Sequence, residues 1–401
     1  MKRPLFIILG LVAILLLLGV WVYVLLTGSP DNQEERFGTF NFGDTTDPSV
    51  QIEPEVEPET PIVNVGSRNK LRQLTTEPVI GYTEIPETAS TTAKVYYVSA
   101  GTGHIFSIDL ETGEEKRISG TTIPLARAAA LTPDGGHVFM QAGDGTNAEI
   151  IIGTIATSSE DLSNFKLPES NQVLSFTATH NNEFLYITPD GNNAIAKAYN
   201  PENNSTRTLF TVPFRDVTVQ WHHTAGGPHI VYPKATNRLE GFAYSYTNGV
   251  RSRLPLTGFG LSAVGSDEYV ISSKTGASQT YTTNTYSYVT NRTSDNVPLT
   301  IVPEKCAFSS IITDSVWCAV TLADYNNSSD MPDSWYRGER GMQDGLWDIR
   351  LFNNSSTFLS DLSAESGTDF DLINPQFNTE STALYFQNKT NQTLWTYDLR
   401  F

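Results

Sequence analysis

The chain has 401 residues, of which 17% are charged, and its formal net charge at pH 7 is −18. A chain of this length forms one large domain or two of ordinary size. The negative charge argues against a nucleic-acid partner, because binding a phosphate backbone requires a basic protein surface.

Residues 1–27 are predicted to form an N-terminal transmembrane signal anchor. Leu5–Leu26 contains no charged residue. As a helix it would be about 33 Å long, enough to cross the hydrocarbon core of a bilayer. A cleaved signal peptide is the alternative, but its apolar core would be shorter and a small-residue cleavage site would follow. Because Met1–Arg3 is basic and the flank after Gly28 is acidic, we expect a cytoplasmic N-terminus and contact with the lipid bilayer through residues 4–27.

Residues 28–66 are predicted to be a disordered, acidic, proline-containing linker. They include nine acidic residues, one basic residue and five prolines. Apolar residues are too sparse to offset the entropy lost on ordering. As a coil the segment would span about 35 Å. The domain that follows, residues 67–401, is therefore expected outside the cytoplasm, tethered to the cytoplasmic membrane by a single span.

Seven pairs of short, alternating runs follow one another in residues 67–401, and each pair has the pattern of a β-hairpin. The first runs of the pairs are VYYVSA, VFMQAG, FLYITPD, HIVYPKA, EYVISSK, VWCAVTL and ALYFQNK. A third run closed by a turn, with Asp, Asn and Gly as typical turn residues, comes before each pair, and six pairs have a fourth run after them. This four-stranded repeat predicts an all-β fold, a seven-bladed β-propeller.

The run KLRQLTT at residues 70–76 resembles the fourth runs but has no hairpin before it, and the last pair, which ends the chain, lacks a fourth run. We therefore predict that residues 70–76 pair with the C-terminal strand and close the ring. Closure removes two exposed sheet edges. An unpaired strand flanking an open sheet is the alternative.

IFSIDLETGEEKRIS followed by LTPDGGHVFM resembles the TolB-like propeller repeats, themselves WD-repeat-like. The resemblance covers residues 69 to about 140 well and the later repeats loosely. TolB has an additional α/β domain that this chain lacks, so the resemblance implies a fold and no Tol–Pal role. The sixth repeat resembles membrane-anchored bacterial propeller proteins of no assigned activity.

The connection at residues 323–345 is much longer than its counterparts, and long connections are often functional. Its candidate binding residues are Trp335, Tyr336, Arg337, Arg340, Asp330, Asp333 and Asp344. Trp, Tyr and Arg are enriched at binding hot spots, and the carboxylates could hold the arginines in place. Alternatively, the segment folds over its own blade and buries Trp335 and Tyr336.

Cys306 and Cys318 flank a predicted hairpin, with a spacing that allows a disulfide on one face; two buried thiols are equally compatible. The cluster WHHTAGGPH and the acidic turns lack the ligand spacing of metal sites, so we expect no metal, no cofactor and no catalytic residues.

The sequence thus favours a non-catalytic binding or scaffold module of the cell envelope, with an envelope protein or glycan as its partner. The alternative is an extracytoplasmic carbohydrate-active enzyme with acidic residues near the central channel. That chemistry requires two carboxylates at a defined separation, and the strands expected to line the channel contain few acids.

Overall fold

The computed structural model describes residues 70–89, 91–143, 148–155, 172–275, 281–295, 297, 299–322 and 330–400, and the backbone of 163–166. The predicted anchor and linker lie outside these residues. Within the described ranges, no helix is both long enough and apolar enough to cross a membrane.

Twenty-seven β-strands make up most of the described chain, which is all-β as predicted. Three consecutive four-stranded antiparallel sheets follow the first strand, β1 (Leu71–Gln73). The first of them contains β2 (Val79–Ile85), β3 (Lys94–Ser99), β4 (Ile105–Asp109) and β5 (Glu115–Ser119). The second contains β6 (Ala126–Leu131), β7 (His137–Ala142), β8 (Glu149–Thr154) and β9 (Ser163–Lys166). The third contains β10 (Ser175–Ala178), β11 (Phe184–Asp190), β12 (Asn193–Asn200) and β13 (Ser205–Val212).

A seven-stranded sheet comes next, and one long strand joins its two halves. Its strands are β14 (Val217–Gln220), β15 (His229–Pro233), β16 (Glu240–Thr247), β17 (Val250–Gly265), β18 (Tyr269–Thr275), β19 (Tyr281–Ser287) and β20 (Arg292–Ser294). The first part of β17 pairs with β16 and its last part with β18, and the register shifts near Phe259.

The last two sheets are formed by the C-terminal part of the chain. One contains β21 (Cys306–Phe308), β22 (Ser315–Thr321), β23 (Asp344–Arg350) and β24 (Ser355–Asp361). The other contains β25 (Leu372–Phe377), β26 (Ala383–Asn388) and β27 (Leu394–Asp398), and β1 is its fourth strand. Within residues 299–322 and 330–400, two short α-helices lie among these strands, α1 (Asp333–Tyr336) and α2 (Leu362–Ser366).

All seven predicted hairpins form, as the antiparallel pairs β3–β4, β7–β8, β11–β12, β15–β16, β18–β19, β22–β23 and β26–β27. The predicted pairing of residues 70–76 with the C-terminal strand is also confirmed, since Leu71 lies opposite Tyr397 and Gln73 opposite Trp395. The alternation of apolar and polar residues therefore specified both the hairpins and the strand that completes the last sheet.

Each sheet packs on the next through a shared apolar core, and the sequence of contacts returns to its beginning. Leu71 and Trp395 of the last sheet share a core with Ala319 and Leu346 of the preceding sheet. On its other side, Leu394 of the last sheet belongs to the core formed by β2, β3 and β4. Because the last sheet lies between the preceding sheet and the first, Leu71 of β1 packs in one of these cores and Leu74, just after β1, packs in the other.

Candidate functional site

The long connection between β22 and β23 crosses over strand connections of the seven-stranded sheet. Its residues 323–329 lie outside the described part of the chain, and residues 330–343 include α1. Asp333 accepts hydrogen bonds from Thr236 Oγ1 at 2.8 Å and from Asn237 N at 2.6 Å. The carbonyl of Met331 accepts one from Thr275 Oγ1 at 3.1 Å. These bonds fix α1 over two neighbouring connections of that sheet.

Trp335 forms part of the core below this connection, with only 4% of its surface exposed. Its indole Nε1 donates to the carboxylate of Asp371 at 3.0 and 3.1 Å. The Lys389 amine lies 4.0 Å from the ring centroid and donates to the Trp335 carbonyl. The apolar side chains that share this core are Tyr281, Val302, Met331 and Met342. Trp335 therefore anchors the segment and is not available to a partner.

A buried ionic group made by Lys305, Asp344 and Asp371 lies next to Trp335. The Lys305 amine is 2.6 Å from Asp344 Oδ2 and 2.7 Å from Asp371 Oδ1, and all three side chains are at most 2% exposed. Burial raises the pKa of Asp344, while the charge of Lys305 acts in the opposite direction. Lys305 Nζ also donates to Asp344 Oδ1 at 2.8 Å, and backbone N–H groups of Leu372 and Met342 donate to Asp344 Oδ2 and Asp371 Oδ2. The group is therefore satisfied within the protein.

Glu304, the residue before Lys305, lies under Tyr336. Its Oε1 accepts hydrogen bonds from the hydroxyls of Tyr336 and Tyr232. Its Oε2 is buried, with no hydrogen-bond partner among the described residues. Burial raises the pKa of Glu304, and the two tyrosine hydroxyls partly offset that rise. Tyr336 thus points its hydroxyl inward, although 36% of the residue is exposed.

The outer surface of the segment is charged. Arg337 is exposed and bonds bidentately to Glu339 through Nε and Nη2, both at 2.7 Å. Its nearest approach to Asp333 is 4.0 Å. Arg340 and Asp330 are half-buried. Asp333 thus lies near an arginine, as the sequence suggested, but Asp344 does not hold an arginine, because its carboxylate is buried against Lys305.

Lys305, Asp371 and Glu304 were not predicted from the sequence as residues of this site. They come from the segments that lead into β21 and β25, far along the chain from Trp335, and no local spacing relates them to it. The sign that something unusual lies there was Glu304 and Lys305 directly before an apolar strand. Charged residues at such a position are buried only when paired.

Cys306 and Cys318 are directly opposite each other in β21 and β22, and their sulfur atoms form a disulfide. The sequence allowed either a disulfide or two buried thiols, and the structure has the disulfide. Because the bond lies one residue from Lys305, it holds β21 in register beside the buried ionic group.

The histidine-rich segment at residues 221–229 does not assemble three metal ligands among the described residues. His222 Nδ1 contacts Thr224 Oγ1 at 2.9 Å, and Nε2 lies 3.4 Å from Asp267. Burial lowers the pKa of His222 to about 4. In the part of the chain that the structure describes, three potential ligands converge elsewhere, at Asp134, His137 and Glu202.

Comparison with known proteins shows that this chain shares its fold with solved structures. No model of a protein family matches the chain, and no curated protein matches it. Among solved structures, the chain is similar to the β-propeller domain of the trilobed protease from Pyrococcus furiosus, which is described as having an open velcro topology. The two sequences are 13% identical, and the TM-score is 0.50. The match covers 80% of this chain and 95% of that one. It is also similar to the GH74 xyloglucanase from Xanthomonas campestris, with 11% identity and a TM-score of 0.50 over 82% of this chain and 54% of that one. These likenesses show that the fold is that of a β-propeller, shared with hydrolytic enzymes.

Proposed function

We propose that the chain is a seven-bladed β-propeller, TolB-like in its repeats, that is tethered to the cytoplasmic membrane and acts outside the cytoplasm as a non-catalytic binding module. The blade count rests on the long strand β17. Its first part completes one set of four strands, and its last part begins another. With this division the seven hairpins belong to seven four-stranded blades, and β1 supplies the fourth strand of the last.

The tether is supported by the sequence of residues 1–66. An uncharged segment long enough to span a bilayer precedes an acidic linker, and a basic start favours a cytoplasmic N-terminus. A linker of this length keeps the propeller near the membrane surface and raises its local concentration there. Protease treatment of intact cells tests this: the propeller should be digested or shed, and protection of the whole chain would contradict the proposal.

The fixed position of α1 is the main support for a binding role. Trp335 and the buried ionic group hold the segment from below, and Asp333 ties it to the seven-stranded sheet. The outward-facing pair Arg337 and Glu339, beside the partly exposed ring of Tyr336, is therefore preorganised. A rigid surface loses little conformational entropy on binding, which favours affinity. We propose that this surface contacts an envelope protein or a glycan.

Among the described residues, the strand that opens each four-stranded set carries few acids, which argues against the enzyme alternative. These strands are β2, β6, β10, β14, the last part of β17, β21 and β25, and the only carboxylate in them is Glu84 of β2. Hydrolysis of a glycosidic bond usually needs two carboxyl groups, one acid and one base or nucleophile.

One observation does favour the enzyme alternative. Burial raises the pKa of Glu84 to about 7, and hydrogen bonds from Asn378 and Tyr385 act against that rise. A carboxyl group with such a pKa suits general acid catalysis near neutral pH. Incubating the full-length protein with a panel of polysaccharides, beside a Glu84→Gln variant, decides between the two functions. Turnover that is lost in the variant would replace the binding module with an enzyme.

The binding role is tested with the full-length protein in nanodiscs, on a glycan array and against solubilised envelope proteins. Arg337→Ala should weaken capture about tenfold or more, the loss typical of a hot-spot residue. Arg207→Ala is the matched control, because Arg207 is also paired with a glutamate and its side chain is 50% exposed, against 48% for Arg337. Equal binding by both variants would contradict the assignment of this surface. Trp335→Ala is unsuitable as a test, since it removes a core side chain.

A further inference from the structure

Asp134, His137 and Glu202 bring three metal-ligating side chains together where two neighbouring sheets meet. One ligand atom from each lies within 4.8 Å of the other two. Asp134 is in the turn between β6 and β7, His137 begins β7, and Glu202 is in the turn between β12 and β13. The group therefore joins the second four-stranded sheet to the third.

The turn that holds the first two ligands is specified by the sequence TPDGGH. Thr132 and His137 pair through their backbones, with Thr132 N donating to the His137 carbonyl at 3.0 Å. Gly135 has φ +71°, and a Cβ there would lie 2.9 Å from the ring of Tyr96, so glycine is required. Asp134 Oδ1 accepts from Thr132 Oγ1 at 2.6 Å and from Gly136 N at 2.9 Å. These bonds orient the carboxylate beside the imidazole.

The imidazole of His137 independently supports a metal ion at this position. The residue is only 8% exposed, and its Nδ1 is buried with no hydrogen-bond partner among the described residues. A buried polar atom without a partner is costly, and such atoms are rare in native proteins. Nδ1 lies 3.9 Å from Glu202 Oε1, too far for a hydrogen bond but suited to an ion between the two atoms.

The distances fit a small divalent ion after a modest side-chain movement. Ligand atoms about 2.1 Å from a tetrahedral Zn²⁺ lie about 3.4 Å from one another. The Glu202 side chain is 68% exposed and free to swing toward His137. An imidazole nitrogen favours zinc, nickel or copper over calcium and magnesium, and two carboxylates balance the charge of a divalent ion. Three protein ligands leave the fourth position to water or to a ligand oxygen.

We propose that Asp134, His137 and Glu202 bind one divalent transition-metal ion, with Zn²⁺ the best match, and that this ion clamps the second and third sheets together. From the sequence we expected no metal, because the WHHTAGGPH cluster and the acidic turns lack metal-ligand spacing; Glu202 lies far along the chain from the TPDGGH turn, so no local spacing relates the two. The two sheets already meet here without an ion, since Asp134 N donates at 3.3 Å to Asn182 Oδ1 in the β10–β11 turn of the third sheet. The ion would add a bond between side chains that the structure already brings together.

The proposal is tested by isothermal titration and thermal melting of the full-length protein, stripped of metal with a chelator and then supplied with Zn²⁺ alone. The wild-type protein should bind one Zn²⁺ per chain saturably at this site and melt at a higher temperature with the metal. Glu202→Gln, which changes an exposed side chain, should weaken this binding at least about tenfold and abolish the rise in melting temperature. Asp134→Asn should do the same.

Two control variants separate this site from other zinc contacts. Glu111→Gln changes an exposed glutamate in the corresponding third-to-fourth-strand turn of the first sheet, and it should leave Zn²⁺ binding unchanged. His223→Gln removes a histidine from the 221–229 segment and should likewise have no effect. Absence of saturable binding in the wild type would overturn the proposal. Binding that survives in Glu202→Gln but is lost in His223→Gln would overturn it too.

Discussion

Replacing Lys305 with Met removes the cation that neutralises Asp344 and Asp371 in the core below α1. The amine lies within 2.7 Å of both carboxylates, and the lysine side chain is 1% exposed. Removing one partner of a buried ion pair typically destabilises a protein by about 3–5 kcal/mol, because the remaining charge stays buried. Lys389 also attracts both carboxylates. We therefore expect a loss at the lower end of that range, about 3 kcal/mol.

Unfolding of the wild-type and Lys305→Met proteins in urea or guanidinium measures this loss of unfolding free energy directly. With an unfolding entropy of about 2.1 cal/mol/K per residue over roughly 330 residues, 3 kcal/mol corresponds to a fall of about 4 °C in melting temperature. Lys116→Met is the control, since Lys116 is exposed on β5, and its change should stay within about 0.5 kcal/mol. A Lys305→Met protein as stable as that control would refute the view that Lys305 neutralises buried carboxylates.

The deficit of Lys305→Met should also grow with pH. Burial already raises the pKa of Asp344 in the folded state, and Lys305 holds that pKa down. Without Lys305 the pKa of Asp344 in the folded state rises further. Above a pH of about 4, the usual pKa of an aspartate in an unfolded chain, the folded protein then binds more protons than the unfolded one. Stability then falls as the pH increases. The variant should therefore be closer to wild type at pH 5 than at pH 8, and a constant difference would contradict this explanation.

Leu71→Ala, at a residue 7% exposed in β1, should destabilise the protein by about 2–5 kcal/mol, whereas Leu239→Ala, at a residue 70% exposed, should change stability by less than about 0.5 kcal/mol; chemical denaturation compares the two. The Cys306→Ala/Cys318→Ala double variant should lose about 3 kcal/mol, the chain entropy released when a loop of 12 residues is opened. A double variant as stable as the disulfide-bonded protein would argue against that mechanism. Because the pKa of Glu84 is raised to about 7, the folded state holds an extra proton between about pH 4.5 and 7, and stability falls as the pH rises through this window. Glu84→Gln should flatten that decline in denaturation midpoints measured from pH 4 to 8.

Much of the fold could be predicted because its strands are local and alternate in polarity. Except for β22 and β23, which the long connection joins, the paired strands are separated by only a few residues, and period-2 patterning identified all seven pairs. The pairing of β1 with β27 is long-range, with Thr75 and Leu394 separated by 319 positions. It was nevertheless predictable, because one strand lacked a hairpin and one hairpin lacked a strand.

The candidate site was predicted less well, because burial depends on contacts between distant segments. Trp335 and Arg337 belong to the same short stretch and to similar classes of hot-spot residue, yet one is buried and the other exposed. Trp335 is buried because its indole contacts Asp371 and Lys389, which flank strands of the last sheet. Composition and spacing contain no information about that arrangement.

The pairing of β1 with β27 has a consequence for biosynthesis. The ribosome completes β1 long before β27, so β1 has to wait for that strand before it finds its partner. Until then it presents unpaired backbone groups, an exposed edge prone to wrong association. Loss of β27, Leu394–Asp398, would leave that edge exposed for the life of the molecule. The last sheet is complete only when two strands from distant parts of the described sequence have met.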